Sequence, residues 1–256
     1  MICTKRIRCF TALTLSLLLP VLMVPALSVQ AAPSSPARST PRKLGLSFKA
    51  PNRGAPSSTT GGATRGGVCS AGNKALLPLV PQQQVGLTFS DRPSFFLYMP
   101  PSPNQTAEFL LLGNDDTEVV YQTTFSLPTK AGIVRFDLPT DAPALQVGKQ
   151  YHWYVTLICD TAKGPSGNPS VEGWVERTEP SSQLAKAIKA AKPANRPALY
   201  AEAGVWHETV TTLADLRRRD PNNPKLLGDW KELMKSVGLD SVAAEPLFDC
   251  CLAKKQ

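Results

Sequence analysis

Between residues 94 and 177 the chain repeats one pattern: short runs of β-branched and aromatic residues, parted by turn residues, with no helical segment among them. The runs are SFFLYM (94–99), AEFLLLG (107–113), EVVYQTTFSL (118–127), GIVRFDL (132–138), YHWYVTLIC (151–159) and VEGWVER (171–177). Val119, Tyr121, Thr123 and Phe125 share one face of their run, as do Val134, Phe136 and Leu138 of theirs. A period of two is the mark of a half-buried strand. Parallel neighbours would need long crossovers, usually helical, between strands. Closely spaced strands without them predict an antiparallel sandwich over residues 68–179.

The start of the fifth run narrows this expectation. In LQVGKQYHW, an apolar Leu145 and a turn at Gly148 lead into Tyr151, which enters an alternating strand. This resembles the tyrosine corner of immunoglobulin-like and fibronectin type III sandwiches, where the tyrosine bonds back to the loop before it.

Past residue 180 the period becomes helical. Leu184, Ile188 and Ala191 fall on one side of SSQLAKAIKAAK, and Leu226, Trp230, Leu233 and Val237 on one side of the last amphipathic stretch. Residues 180–245 are therefore expected to form a small α-helical unit. Tyr200, Gly204, Trp206, Leu213, Leu216 and the DPNNP at 220–224 resemble a tetratricopeptide repeat, and Gly204 and Gly238 stand one repeat apart. Thr209 and Lys231 depart from that pattern. Little more than one repeat is present where about three are needed for independent stability, so the unit must pack on the sandwich or on a partner.

The N-terminus sets the compartment. Lys5, Arg6 and Arg8 precede the apolar run FTALTLSLLLPVLMVPALSV, and Val29 and Ala31 place small residues at a peptidase site. This is a secretory signal, 1–31; Pro20 and Pro25 disfavour a membrane anchor, though the run approaches the necessary length. Its removal takes the formal charge from +8 to +5. Residues 32–67 are rich in Pro, Ser, Thr, Gly and Arg and cannot bury enough apolar surface to offset chain entropy, so they read as a disordered basic linker. No acid precedes Asp91. Such an arm is a solvated tether that also suits an anionic surface such as membrane or polysaccharide. An exported chain with no basic helix or groove is not expected to bind nucleic acid. The protein is thus expected in the periplasm or outside the cell, with residues 246–256 as a tail.

Export decides the cysteine chemistry. Cys69, Cys159, Cys250 and Cys251 remain after processing, and cysteines in an oxidising compartment pair. Cys159 shares a strand face with Tyr151, Trp153, Val155 and Leu157, whereas His152 points the other way, roughly 23 Å distant along an extended strand. A Cys–His dyad is excluded for that pair, and nothing in the sequence directs His207 to Cys159. Bonding Cys159 to Cys69 closes a loop of about 90 residues, worth roughly 4–5 kcal/mol in the chain-entropy model. Adjacent Cys250 and Cys251 bridge each other only with strain, which leaves an intermolecular bond or another site open.

Other chemistries lack their residues. Two histidines and no CxxC pair fall short of a zinc pattern. Asp115 and Asp116 lack the spaced oxygens of a calcium loop and read as solvated turn acids. No cofactor motif, GxSxG or HExxH is present. His152, Tyr154, Glu172, Trp174 and Glu176 are placed to share one sheet face as a polar aromatic patch for a sugar or peptide. Against that patch, Trp174 is expected to be covered by the helical unit, which must pack somewhere.

FKAPNRGAP, GGATRGGVC (61–69), LTFSDRPSFFLYMP (87–100), GKQYHWYVTLICD (148–160), VEGWVER (171–177) and SVGLDSVAAEPLFDCC together resemble an exported cyanobacterial family, domain of unknown function 928. The resemblance implies export and carries no assigned activity, ligand or catalytic residue. The sequence points to a non-enzymatic binding or scaffolding module of the envelope, with a protein or polysaccharide partner. The alternative is a carbohydrate-acting or other hydrolase, whose paired carboxylates need no local motif. The signal predicts a mature N-terminus at or near Ala32. Intact mass of the exported protein checks this; retention of Met1 contradicts it.

Overall fold

The computed structural model describes residues 45–51, 74–82, 84–101, 106–159 and 168–248. Their strands, in chain order, are β1 (Leu77–Pro78), β2 (Gly86–Thr88), β3 (Ser94–Met99), β4 (Thr106–Gly113), β5 (Val119–Ser126), β6 (Gly132–Asp137), β7 (Gln150–Leu157), β8 (Ser170–Arg177) and β9 (Leu247–Phe248). The helices are α1 (Ser182–Ala190), α2 (Arg196–Glu202), α3 (Trp206–Arg219) and α4 (Pro224–Ser236). Two sheets form, with strand orders β1-β3-β6-β9 and β2-β8-β7-β4-β5.

Every residue of β3 is buried. A strand can bury both faces only with a packed layer on each side. Phe95, Leu97 and Met99 point into a first core with Phe109, Phe125, Phe136, Trp153 and Val155. Phe96 and Tyr98 point the opposite way, into a second core with Ile133 of β6 and Trp206, Val210, Trp230, Leu233 and Met234 of α3 and α4. The arrangement is three layers: five-stranded sheet, four-stranded sheet, helices. In the first core Phe109 stacks on Phe136 at 4.4 Å. Trp153 lies flat over Gly173, where a Cβ would come within 2.5 Å of the indole. Tyr151 makes the expected corner: its hydroxyl accepts from Gln146 N–H at 2.9 Å, and Gly148 turns the chain there with φ +76°.

Three expectations are corrected. The sheets are mixed, since β2 pairs parallel with β8 and β9 parallel with β6. Strands of two or three residues show no alternation, and their direction is set by distant chain crossings, so no local pattern reveals them. The linker is ordered near residue 48: Phe48 packs edge-on against Trp206 at 5.0 Å, and Lys49 N–H donates to Ala201 C=O. The rest of 32–67 lies outside the described residues. In the tail, Phe248 packs on Gly132, and Pro246 C=O accepts from Ile133 N–H at 2.7 Å.

The helices are set by their ends. Ser181 Oγ caps α1 by accepting from Leu184 N–H. Asn223 caps α4 ahead of Pro224, whose missing N–H needs no partner there. Gly204, at φ +73°, reverses the chain between α2 and α3. No described helix is long and apolar enough to cross a membrane.

Three consecutive side chains at the start of α3 attach the helices to the sheets. Trp206 Nε1–H donates to Leu79 C=O at 2.7 Å. His207 Nδ1–H donates to Ser94 C=O at 2.9 Å. Glu208 Oε1 accepts from Thr88 Oγ1, Phe89 N–H and Ser90 N–H, the chain leaving β2. Gly86 admits the imidazole, since a Cβ there would lie 2.7 Å from Nε2. Burial lowers the His207 pKa to about 4, against the opposing pull of the Ser94 bond. Burial raises that of Glu208, against its own hydrogen bonds.

Two outcomes follow. Residues 181–245 expressed alone will show no cooperative thermal transition by circular dichroism, because Phe48, Leu79, Phe96, Tyr98 and Ile133 complete their core from outside. As pH falls from 7 to 5, unfolded chains protonate His207 while folded ones do not, so folding loses about 2 kcal/mol from this group. The raised pKa of Glu208 acts in the opposite sense. The comparison is therefore with His207→Asn, which keeps a donor for Ser94 and will lose about 2 kcal/mol less over that range in urea titrations.

Candidate functional site

The outer face of the five-stranded sheet carries a titratable cluster built by strand register. In the β7–β8 pair His152 stands opposite Trp174 and Tyr154 opposite Glu172. Side chains directly opposite on one face lie within contact distance. The His152 ring stacks on Trp174 at 4.2 Å with a 16° interplanar angle, and lies 4.3 Å from Tyr154. Four of the five patch residues thus come together. Glu176 stands apart, accepting from Gln150 Nε2 at 2.9 Å.

Asp116 joins the four from the β4–β5 turn, where it adopts φ +57°. β4 lies between β5 and β7, which brings its turn to the start of β7. Asp116 Oδ1 lies 2.8 Å from His152 Nδ1, and Tyr154 Oη is 3.0 Å from the same nitrogen. On the opposite ring edge Glu172 Oε2 is 3.6 Å from Nε2. In the imidazolium form both ring N–H groups face a carboxylate. Burial raises the Glu172 pKa, with His152 opposing. The Tyr154 hydroxyl is pushed up to about 12 by burial, with Glu172 and Asp116 adding to it.

The placement corrects three expectations. His152 and Trp174 are buried, at 0% and 3% exposure, so their ring faces do not form an open platform for a sugar. Trp174 belongs to neither hydrophobic core; the ring stacked on it is that of His152. Asp116 is an imidazole partner, not merely a solvated turn acid. The sequence held a sign of this in NDDTE, a turn able to take positive φ, but the link to His152 depends on a third strand lying beside the hairpin.

Cys159 follows β7 and packs half-buried against the first core. Its N–H donates to Asn168 Oδ1 at 3.1 Å. His152 is not beside it, and neither is His207, which is bound to Ser94. Cys69, Cys250 and Cys251, like the signal at 1–31, lie outside the described residues. Among the described residues, no group of three or more histidine, cysteine or carboxylate side chains is placed to hold a metal ion. In the cluster, the carboxylates occupy opposite edges of one ring instead of converging.

Two open grooves adjoin these elements. One, of about 750 Å³, has a floor of Leu46, Ala187, Ala191, Ala198 and Leu199 and charged groups at Glu202, Lys225 and Asp229. The other, of about 680 Å³, lies at the end of the sheet beside Asp115, Glu118, Val119, Lys149 and Tyr151. No match is found among curated proteins. Residues 60–247 match the family described as Domain of Unknown Function (DUF928), and the chain belongs to that family.

Proposed function

We propose that this protein is an exported, non-enzymatic binding or scaffolding module of the cell envelope, holding a protein or polysaccharide partner. The observation that carries the reading is the groove between residues 45–47, α1, α2 and α4. It has an apolar floor and a charged rim, the make-up of a surface that buries a partner segment and orients it by polar contacts. Its wall of small residues on α1 and α2 lets a partner backbone approach closely.

The finer parts of the reading belong together. The signal at 1–31 delivers the chain to an oxidising compartment of a cyanobacterial cell. There Cys159, half-buried against the first core just past the end of β7, bonds Cys69. The basic linker keeps the module near an anionic surface. An immunoglobulin-like description of the β layers rests on the Tyr151 corner. A tetratricopeptide-like description of the helices rests on the turn at Gly204 and the α3–α4 connection through DPNNP.

A hydrolase remains the second reading because Asp116 and Glu172 flank His152 and the Glu172 carboxyl is held above its usual range. The two readings separate in one experiment. The mature protein, with Ala187→Glu and Ala191→Glu in the groove, is crosslinked in envelopes beside the parent and a Glu172→Gln variant. The groove variant will recover about tenfold less partner, equivalent to about 1.4 kcal/mol, and Glu172→Gln will recover as much as the parent. Unchanged recovery from the groove variant, with envelope-polysaccharide cleavage lost only in Glu172→Gln, supports the hydrolase instead.

A further inference from the structure

The two sheets present four edges among the described residues. β1 and β9 each have two residues and β2 has three. Short edges offer little to another chain, and brevity is one of the ordinary protections of an edge. β5 is different. It has eight residues, VVYQTTFS, with neither proline nor charge. Among the described residues β4 is its only strand partner. The register with β4 shifts at Val120; from Tyr121 to Ser126 a regular row of backbone N–H and C=O groups faces outward from a strand rich in β-branched and aromatic residues, without the lysine or proline that deters pairing. Val119, which opens β5, is 58% exposed, and Val147 is 48%; these are the exposed large hydrophobic residues among those described.

We propose that β5 pairs antiparallel with β5 of a second copy of this chain, joining two five-stranded sheets across a two-fold axis at Thr123. This goes beyond the groove reading and does not depend on it. The strand is complementary to itself. Tyr121, Thr123 and Phe125 face the first core: Phe125 lies within it, Tyr121 packs against it, and Thr123 is buried. A two-fold perpendicular to the sheet preserves that face only when opposed residues have the same parity. Centred on Thr123, it sets Tyr121 opposite Phe125 of the second copy and Thr123 opposite Thr123. Aromatic and threonine pairs are among the favourable cross-strand combinations. On the outer face Gln122 meets Thr124, so no charges of one sign are opposed, although the chain is net positive.

The strand ends also match. In this register the turn that precedes β5 in one copy runs toward Lys130, which follows β5 in the other. The exposed acidic turn holding Asp115 and Glu118 then lies beside an exposed lysine, twice, once at each end of the ribbon. An isologous pairing closes on itself and leaves no new edge in the joined sheet at β5.

The test is sedimentation velocity on the mature full chain over a concentration series. The parent will pass from monomer to dimer as concentration rises. Gln122→Lys with Thr124→Lys sets ammonium groups against each other across the axis, and self-association will weaken at least tenfold. Gln122→Glu with Thr124→Glu will weaken it similarly, and mixing the Lys and Glu variants will restore dimer. The restoration distinguishes edge pairing from damage to the fold, which circular dichroism of each variant also reports. A parent that stays monomeric up to about 0.5 mM overturns the proposal, leaving the edge to a strand from another protein. So does a dimer that survives the lysines, or a mixture that stays monomeric.

Discussion

A four-stranded sheet buried on both faces is the constraint on which this molecule depends. Successive residues of β3 point alternately into the sandwich core and the helical core, with Phe95, Leu97 and Met99 on one side and Phe96 and Tyr98 on the other. Neither core is complete without this strand. The described residues accordingly fall within one compact unit, so the change of period near residue 180 marks a change of layer rather than a boundary between independent domains. The hydrogen bonds of Trp206 and His207, with the Glu208 carboxylate on β2's exit, fix the layers in register. Apolar burial gives the interface most of its free energy, but it is non-directional; the polar bonds determine where α3 sits.

The outer sheet face makes a different use of polar groups. His152 is buried between two half-exposed carboxylates, so the ring lies inside while its charge partners reach solvent. The arrangement ties the β4–β5 turn to β7, close to where the proposed dimer edge begins. A cluster of this kind supports structure even if no ligand reaches it. Its chemistry would change with the protonation of Glu172, whose burial favours the neutral carboxyl. The apolar groove is far simpler chemically, and it is the better place to seek a partner.

The long strands were legible because their signals are local. SFFLYM reads as continuously apolar, as suits a strand covered on both sides; the alternation in GIVRFDL gives the faces, as it does in EVVYQTTFSL from Tyr121 on, whereas a register shift leaves Val119 exposed and turns Val120 to the core. Tyr151 bonding to Gln146 was visible in LQVGKQYHW for the same reason. What escaped was non-local. β2 and β9 are too short for periodicity, and their parallel pairing follows from long connections. Phe48 is one aromatic in a Pro- and Ser-rich stretch, so only the presence of Trp206 gives it a place. The three patch residues that cluster on His152, and His152 itself, follow from alternation along two strands, but the partnership with Asp116 needs the spatial order β7-β4-β5, which sequence spacing does not contain.

Shared dependence on β3 is the central claim, and native-state hydrogen exchange tests it directly. Under conditions where exchange reports opening free energy, the slowest amides of β7 in the sandwich core and of α3 in the helical core should open with the same free energy. Phe96→Ala removes a ring that belongs to the helical core, at a cost of about 3–5 kcal/mol. The account predicts an equal fall in the opening free energies of β7 and α3. A fall confined to α3, with β7 unchanged, would contradict it and make the helices a separately unfolding unit.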